Sequence, residues 1–452
     1  MKQTQRASFG SRLGIILATA GSAVGLGNVW RFPYMTGQNG GAVFILIYVG
    51  CVFLLGVPCM LSEFIIGRHA QTNIVRAYSK LSGGGAWKII GVLGVLTGFI
   101  ITSYYAVVSG WCLEYIFASS TGQLKGDPQY VEQFFTDFTM NPWKPVVCML
   151  LFFLITHFVI VRGVEKGIER ASKLLMPTLF ILLLIIVVAS CMLPDADKGI
   201  KFLFAPDWSK LDGEVFLGAL GQSFYSLSVG MGCLCTYASY FNRNTNLAQS
   251  AAQIAIIDSL VAILAGLMIF PAAFSVGVNP GSGASLVFIT LPNVFQQAFA
   301  SVPAVGYLVA LLFYALLSLA ALTSLMSLHE VSTAFFHEEL HISRKAGAWI
   351  VTLSCAFLGV FCSLSLGNVH IELWGKSLFD LFDFVSGQIF LPFGGFLTSI
   401  FLGWFVPKRI VRDELTIEGS LRSRFVSVYL FVVRFVCPIC ILVIFLHQLG
   451  VI

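Results

Sequence analysis

Charge is what this sequence has least of. Only 11% of its 452 residues are Asp, Glu, Lys or Arg, against about a quarter in soluble globular domains, so a chain clothed in a hydrated, charged surface is excluded. Paired metal-ligand spacings are missing as well. His157 and His329 stand isolated in apolar stretches, with no nucleophile and base near them, which argues against an enzyme. The eleven cysteines all lie in apolar stretches and none in a longer external loop, so they read as buried free thiols. Cys437 and Cys440 have the spacing of a redox pair, but they sit in a terminal hydrophobic run without a βαβ context. No Asn-x-Ser/Thr acceptor occurs. No short basic leader ends in a small-residue cleavage site, and the first hydrophobic run is expected to stay in the mature protein.

Apolar residues fill the chain instead, at 57%. Eleven runs are long enough to cross a bilayer: 12–36, 41–68, 89–118, 145–162, 168–193, 214–240, 248–276, 305–337, 346–364, 378–405 and 424–449. They define an all-α membrane protein, a single transmembrane domain over 1–452. Lys and Arg crowd alternate loops: Lys2, Arg6 and Arg12; Arg68, Arg76, Lys80 and Lys88; Arg162, Lys166, Arg170 and Lys173; Lys408, Arg409, Arg412, Arg422 and Arg424. That asymmetry predicts a cytoplasmic N-terminus and, with an odd number of spans, an external C-terminus. The net charge of +5 is thus a topology signal, and nucleic acid is not an expected partner.

Residues 21–33, GSAVGLGNVWRFP, interrupt the first span with Gly21, Gly25, Gly27 and Pro33, all poor in a helix interior. In a bilayer, broken backbone is tolerated where it lines a cavity or binds an ion; glycines alone could equally mark a close helix contact. The pattern recurs. Val24-Gly25-Leu26-Gly27 is echoed by Val229-Gly230-Met231-Gly232 in the sixth span, and interruptions at corresponding places in two halves point to an inverted-repeat transporter. The halves are 12–193 (spans 1–5) and 214–405 (spans 6–10), with 424–449 as span 11. No repeated carbonyl filter of a channel is present. An amino-acid-binding sensor or an ion channel of related architecture is the alternative reading.

The stretches GSAVGLGNVWRFPY at 21–34, NGG at 39–41, GQSFYSLSVGMG at 221–232, TYASY at 236–240 and LTSL at 322–325 together resemble the neurotransmitter:sodium symporter family, in its bacterial amino-acid branch. The resemblance implies eleven helices in two inverted five-helix repeats, broken in helices 1 and 6, with helix 11 added. It implies two sodium ions and no organic cofactor. The first site would use Ala23, Asn28, Ser226, Asp258 and the substrate's carboxylate; the second would use Gly21, Val24, Ala320, Thr323 and Ser324. Substrate would meet Ser22, Ala23, Leu26, Gly27, Ile101, Tyr105, Tyr225, Ser226, Ser228, Met231, Ser324 and Leu328. Arg31 with Asp383 would close the outside and Arg6 with Glu338 the inside. Glu63 would support the broken backbone of span 6, and Gln222 would lie on its interrupted middle. Gly167 and Pro177 bracket a segment of span 5 expected to unwind, and 277–301 is expected to form a re-entrant external lid. Arg434 has no assigned role, and a snorkelled or lipid-facing anchor is the expectation.

Relatives selective for monoamines carry Asp where this chain has Gly25, so a substrate bringing its own carboxylate is favoured here. The uncharged wall of Ile101, Tyr225, Met231 and Leu328 predicts neutral, hydrophobic or aromatic L-amino acids, with flexible Met231 making room. Asp258 stands where many relatives have Asn, and Ala262 where they have Ser or Glu. A fixed carboxylate there predicts chloride-independent sodium symport by alternating access. The features together suit a multi-pass protein of a bacterial cytoplasmic membrane, monomeric or weakly dimeric.

Overall fold

The computed structural model describes residues 7–124, 128–277, 286–367, 369, 371–420 and 426–448. Among them, nine helices are long and apolar enough to cross a membrane: Ala42–Ala70, Lys88–Ser120, Lys144–Val161, Val164–Cys191, Leu247–Ser275, Pro303–Glu339, Arg344–Ser365, Leu378–Phe405 and Val426–His447. A bent pair, Arg12–Ala23 and Gly27–Gln38, turns by 52° at its break and makes the tenth. The interrupted pair Gly213–Ser226 and Cys233–Ala238 takes the place of span 6, so the eleven expected spans are all accounted for. The protein is a multi-pass, all-α membrane protein.

Both interruptions follow from local chemistry. In span 1, Val24 is extended (φ −71°, ψ 104°), and the helix resumes as a wide π turn over Gly27–Arg31. In span 6, Ser228, Gly230 and Gly232 all have positive φ, at 54°, 90° and 78°, a region that glycine enters freely. Gly230 is required for a second reason: a Cβ there would meet the Leu391 carbonyl oxygen at 2.4 Å.

Freed amides need partners in a bilayer. Glu63 in span 2 provides two, accepting from Gly230 N at 2.7 Å and from Cys235 N at 3.2 Å. Close backbone approach keeps that carboxyl in reach. Gly67, one turn further along span 2, lies so near span 6 that a Cβ would stand 2.0 Å from the Cys235 carbonyl oxygen. Gly110 similarly lets span 3 approach the span 4 backbone at Met149.

Three expectations are refined. The segment between Gly167 and Pro177 is wound here, as a π turn over Val164–Glu169 followed by helix Arg170–Cys191. Glu169 holds it against the start of span 1, accepting from Gly10 N at 2.6 Å and Ser11 Oγ at 2.8 Å while pairing with Lys173 at 2.7 Å. Of the external lid, 278–285 lie outside the described residues. The remainder forms Leu286–Thr290 and helix Leu291–Ala298, held by Tyr115 and Tyr314, whose hydroxyls donate to the carbonyls of Phe288 and Val287 at 2.7 and 2.8 Å. His157 and His329 are not isolated: Thr352 Oγ1 joins them, 2.9 Å from His157 Nδ1 and 2.8 Å from His329 Nε2, tying spans 4, 8 and 9 together.

Replacing Gly67 by Ala forces a methyl into backbone and is expected to sharply reduce the yield of monodisperse protein after solubilisation. Gly50, with open space around its Cα, is the control, and Gly50→Ala should match the parent. Size-exclusion profiles of the two variants check this.

Candidate functional site

The two breaks meet around a small cavity of about 40 Å³ lined by Ser22, Ala23, Gly25, Gly27, Ile101, Tyr104, Tyr105, Tyr225, Ser226, Ser228, Met231, Ser324, Ser327 and Leu328. Eleven of the twelve residues expected to meet substrate are in that lining. The twelfth, Leu26, faces the larger cavity outside it, but its amide donates to the Tyr105 hydroxyl at 3.2 Å. Gly25 is packed hard against the opposite wall. A Cβ there would lie 2.4 Å from Ser324 Oγ and 3.0 Å from the Tyr105 hydroxyl.

Beside this cavity, oxygen-bearing groups converge from four spans. Asn28 Nδ2 donates to Asp258 Oδ1 at 2.7 Å and to Ser226 Oγ at 3.1 Å, and Ser226 Oγ donates to Asp258 Oδ2 at 2.7 Å. Tyr48, which sequence reasoning missed, donates its hydroxyl to Asp258 Oδ2 at 3.2 Å. The Asn28 amide oxygen faces the break in span 1, where it accepts from Gly25 N at 3.0 Å. Asp258 is fully buried and bonded, among the described residues, to neutral groups only. A carboxylate deep in protein is costly without a cation, and an all-oxygen set suits a hard one such as Na⁺.

The second cluster lies across span 1. Thr323 Oγ1 is 3.5 Å and Ser324 Oγ 3.4 Å from the Val24 carbonyl oxygen, and Thr323 Oγ1 is 2.9 Å from that of Ala320. Gly21 completes the approach, since a Cβ on it would be 3.2 Å from Thr323 Cβ. Gly21, Val24, Ala320, Thr323 and Ser324 are therefore adjacent, again with oxygen donors alone. The ends of broken helices add their partial charges at the same depth.

Above the small cavity opens a larger one of about 350 Å³, lined by residues that include Trp30, Arg31, Tyr104, Tyr105, Tyr225, Phe379 and Asp383. Arg31 and Asp383 face this one space without forming an ion pair. The Arg31 guanidinium lies 4.2 Å from the centre of the Tyr225 ring, and Asp383 accepts from the Tyr104 hydroxyl at 3.0 Å. Tyr104 was also missed, because next to Tyr105 it reads as packing. At the opposite end, Arg6 lies outside the described residues. Its expected partner Glu338 accepts from Thr72 Oγ1 and Asn73 N, each at 2.8 Å. Phe9 plugs that end, fully buried among Tyr237, Tyr240 and Phe241.

Over residues 6–131 and 129–452 the sequence matches the Sodium:neurotransmitter symporter family. It is 39% identical to an uncharacterized sodium-dependent transporter, YhdH, of Bacillus subtilis, with 100% of this chain and 99% of the relative covered. It is 26% identical to the sodium-dependent serotonin transporter of Drosophila melanogaster over 98% of this chain and 76% of that protein. Among solved structures it is similar to MhsT, crystallised with L-phenylalanine, at a TM-score of 0.88 and 42% identity, covering 98% of this chain and 100% of that one. Two broken helices around an oxygen-lined centre, and matches along nearly the whole chain, lead to one conclusion: the chain belongs to the sodium:neurotransmitter symporter family and is a sodium-dependent symporter.

Proposed function

We propose that this transporter imports neutral, hydrophobic or aromatic L-amino acids with two sodium ions, independently of chloride, by alternating access. The observation that carries the reading is the absence of a carboxylate at Gly25, where the Tyr105 hydroxyl and the Leu26 amide meet. An acid of the substrate's own fits beside those donors and beside the Asn28–Ser226–Asp258 cluster. Its side chain then lies against Ile101, Tyr225, Met231 and Leu328, none of them charged. The L-phenylalanine bound to MhsT supports an aromatic amino acid as cargo.

Coupling follows from shared ligands. The first sodium would be held by Asn28, Ser226, Asp258, the Ala23 carbonyl and the substrate carboxylate, so each raises the affinity for the other. The second, between Gly21, Val24, Ala320, Thr323 and Ser324, would fasten span 1 to span 8. Two inverted halves, 12–193 and 214–405, would then exchange access between an outer closure of Arg31 and Asp383 and an inner one of Arg6 and Glu338. A ligand moves such an equilibrium only through different affinities for the two states. We place the chain in a bacterial cytoplasmic membrane, N-terminus inside and C-terminus outside, as a monomer or weak homodimer. Organic cofactors and nucleic acid have no part in this mechanism.

In proteoliposomes, labelled phenylalanine uptake should require sodium and be displaced by hydrophobic L-amino acids but not by lysine, glutamate or phenethylamine. Displacement by the amine as effective as by the acids would refute the carboxylate argument. Exchanging chloride for gluconate should leave uptake unchanged, and a loss would remove Asp258 from the role assigned to it. Gly25→Ala adds a methyl to a site without room for it. Overpacking of about 1–3 kcal/mol weakens phenylalanine binding about five- to 150-fold, measured by equilibrium binding with the folded yield as control.

A further inference from the structure

Arg434 is the only charged residue in the apolar stretch 426–446 of span 11. Its Nε donates to the carbonyl of Gly403. That carbonyl is available because span 10 ends at Phe405, and the residue four beyond Gly403 is Pro407, which has no N–H to offer. Gly403 also makes room for the arginine stem: a Cβ on it would lie 2.9 Å from Arg434 Cγ. Trp404 completes the mount. Its indole N–H donates to the Arg434 carbonyl at 3.2 Å, and its ring centre is 6.0 Å from the guanidinium carbon. The expected lipid-facing anchor is therefore a fixed cation, docked by its Nε on the adjoining helix.

Capping span 10 explains Nε alone. Both Nη groups, four of the five N–H donors of the fork, have no carboxylate partner among the described residues. The surface around them is apolar and open: Trp404, Phe405, Phe431 and Phe435 are 57%, 58%, 58% and 43% exposed. Such residues face lipid, and a cation held among them is costly unless an anion or water meets it. Depth supplies the anion. Gly403 is two residues from the end of span 10, and the next helix, Lys408–Thr416, buries Val411 and Leu415 while Lys408, Arg409 and Arg412 are exposed. That is the pattern of a helix lying along the membrane surface with its cations toward headgroups.

We propose that Arg434, seated on the Gly403 carbonyl and beside the Trp404 indole, binds the phosphate of a phospholipid, with preference for an anionic headgroup. The planar fork suits bidentate contact to phosphate oxygens. On the orientation proposed above, the lipid belongs to the cytoplasmic leaflet; the site itself needs only the two helices.

Native mass spectrometry of the full chain, released from discs of phosphatidylcholine and phosphatidylglycerol, tests this. The parent should retain phosphatidylglycerol, and Arg434→Gln should retain about tenfold less, the equivalent of a lost charge-assisted contact. Trp404→Ala, which leaves the Gly403 contact in place, should give an intermediate loss and covers the case in which Arg434→Gln does not fold. In detergent, added phosphatidylglycerol should raise the melting temperature of the parent, whereas phosphatidylcholine or inorganic phosphate at equal concentration should not. Equal lipid retention by folded Arg434→Gln, stabilisation by free phosphate equal to that by lipid, or loss of a dimer with lipid retention unchanged would each overturn the assignment.

Discussion

A carboxyl group that reaches unpaired amides in the middle of the membrane is the constraint on which this architecture depends. Glu63 receives the N–H groups of Gly230, inside the gap in span 6, and of Cys235, in the first turn of the helix that follows it. Without those bonds, the backbone of that gap would be exposed to a medium that offers no substitute. With them, the gap becomes permanent, and its other polar groups can face inward. Ser226 and Ser228 then point toward span 1, where Ser228 Oγ donates to the Ser22 carbonyl at 3.1 Å and Ser226 joins Asn28 and Asp258. Opening one helix thereby shapes the pocket formed with another.

Packing makes such an arrangement affordable. Bilayer helices gain little from the hydrophobic effect against one another, so close approach through small residues takes its place. Gly67 against Cys235, Gly110 against Met149 and Gly21 against Thr323 are each contacts of this kind. They bring span 2, with its Glu63 carboxyl, to the amides of span 6, seat the tyrosine-bearing span 3 against span 4, and set span 1 against the hydroxyls of span 8. Polar chemistry at the centre rests on apolar contacts that no side chain larger than hydrogen would allow.

Much of this was legible in the chain. Long apolar runs gave all eleven spans, because crossing a membrane is a matter of length and composition. Both breaks were legible too, since Gly25, Gly27, Gly230 and Gly232 sit where a continuous helix would have no use for them. Residues whose role depends on how spans cross were harder to see. Tyr48 looks like any buried aromatic until span 2 brings its hydroxyl to Asp258, and Glu169 looks like a loop charge until it meets Gly10 and Ser11. Arg434 had a clue in plain view, because Pro407 leaves the Gly403 carbonyl without its helical donor, but nothing local says which helix supplies the replacement. Arg31 and Asp383 line one cavity but were expected to meet each other; instead Arg31 lies over the Tyr225 ring and Asp383 accepts from Tyr104, contacts that neighbouring spans supply and no local pattern shows.

The central claim is that one set of atoms, assembled from two broken helices, holds sodium and an amino acid together. Linkage makes that measurable, because two ligands that share a site must alter each other's affinity by the same factor. The direct test is equilibrium binding on the purified protein, with phenylalanine titrated at fixed sodium concentrations and sodium titrated at fixed phenylalanine. The account predicts that each ligand tightens the other by one common factor, and that Asn28→Ala removes this coupling from folded protein. Phenylalanine affinity indifferent to sodium in the parent would contradict it.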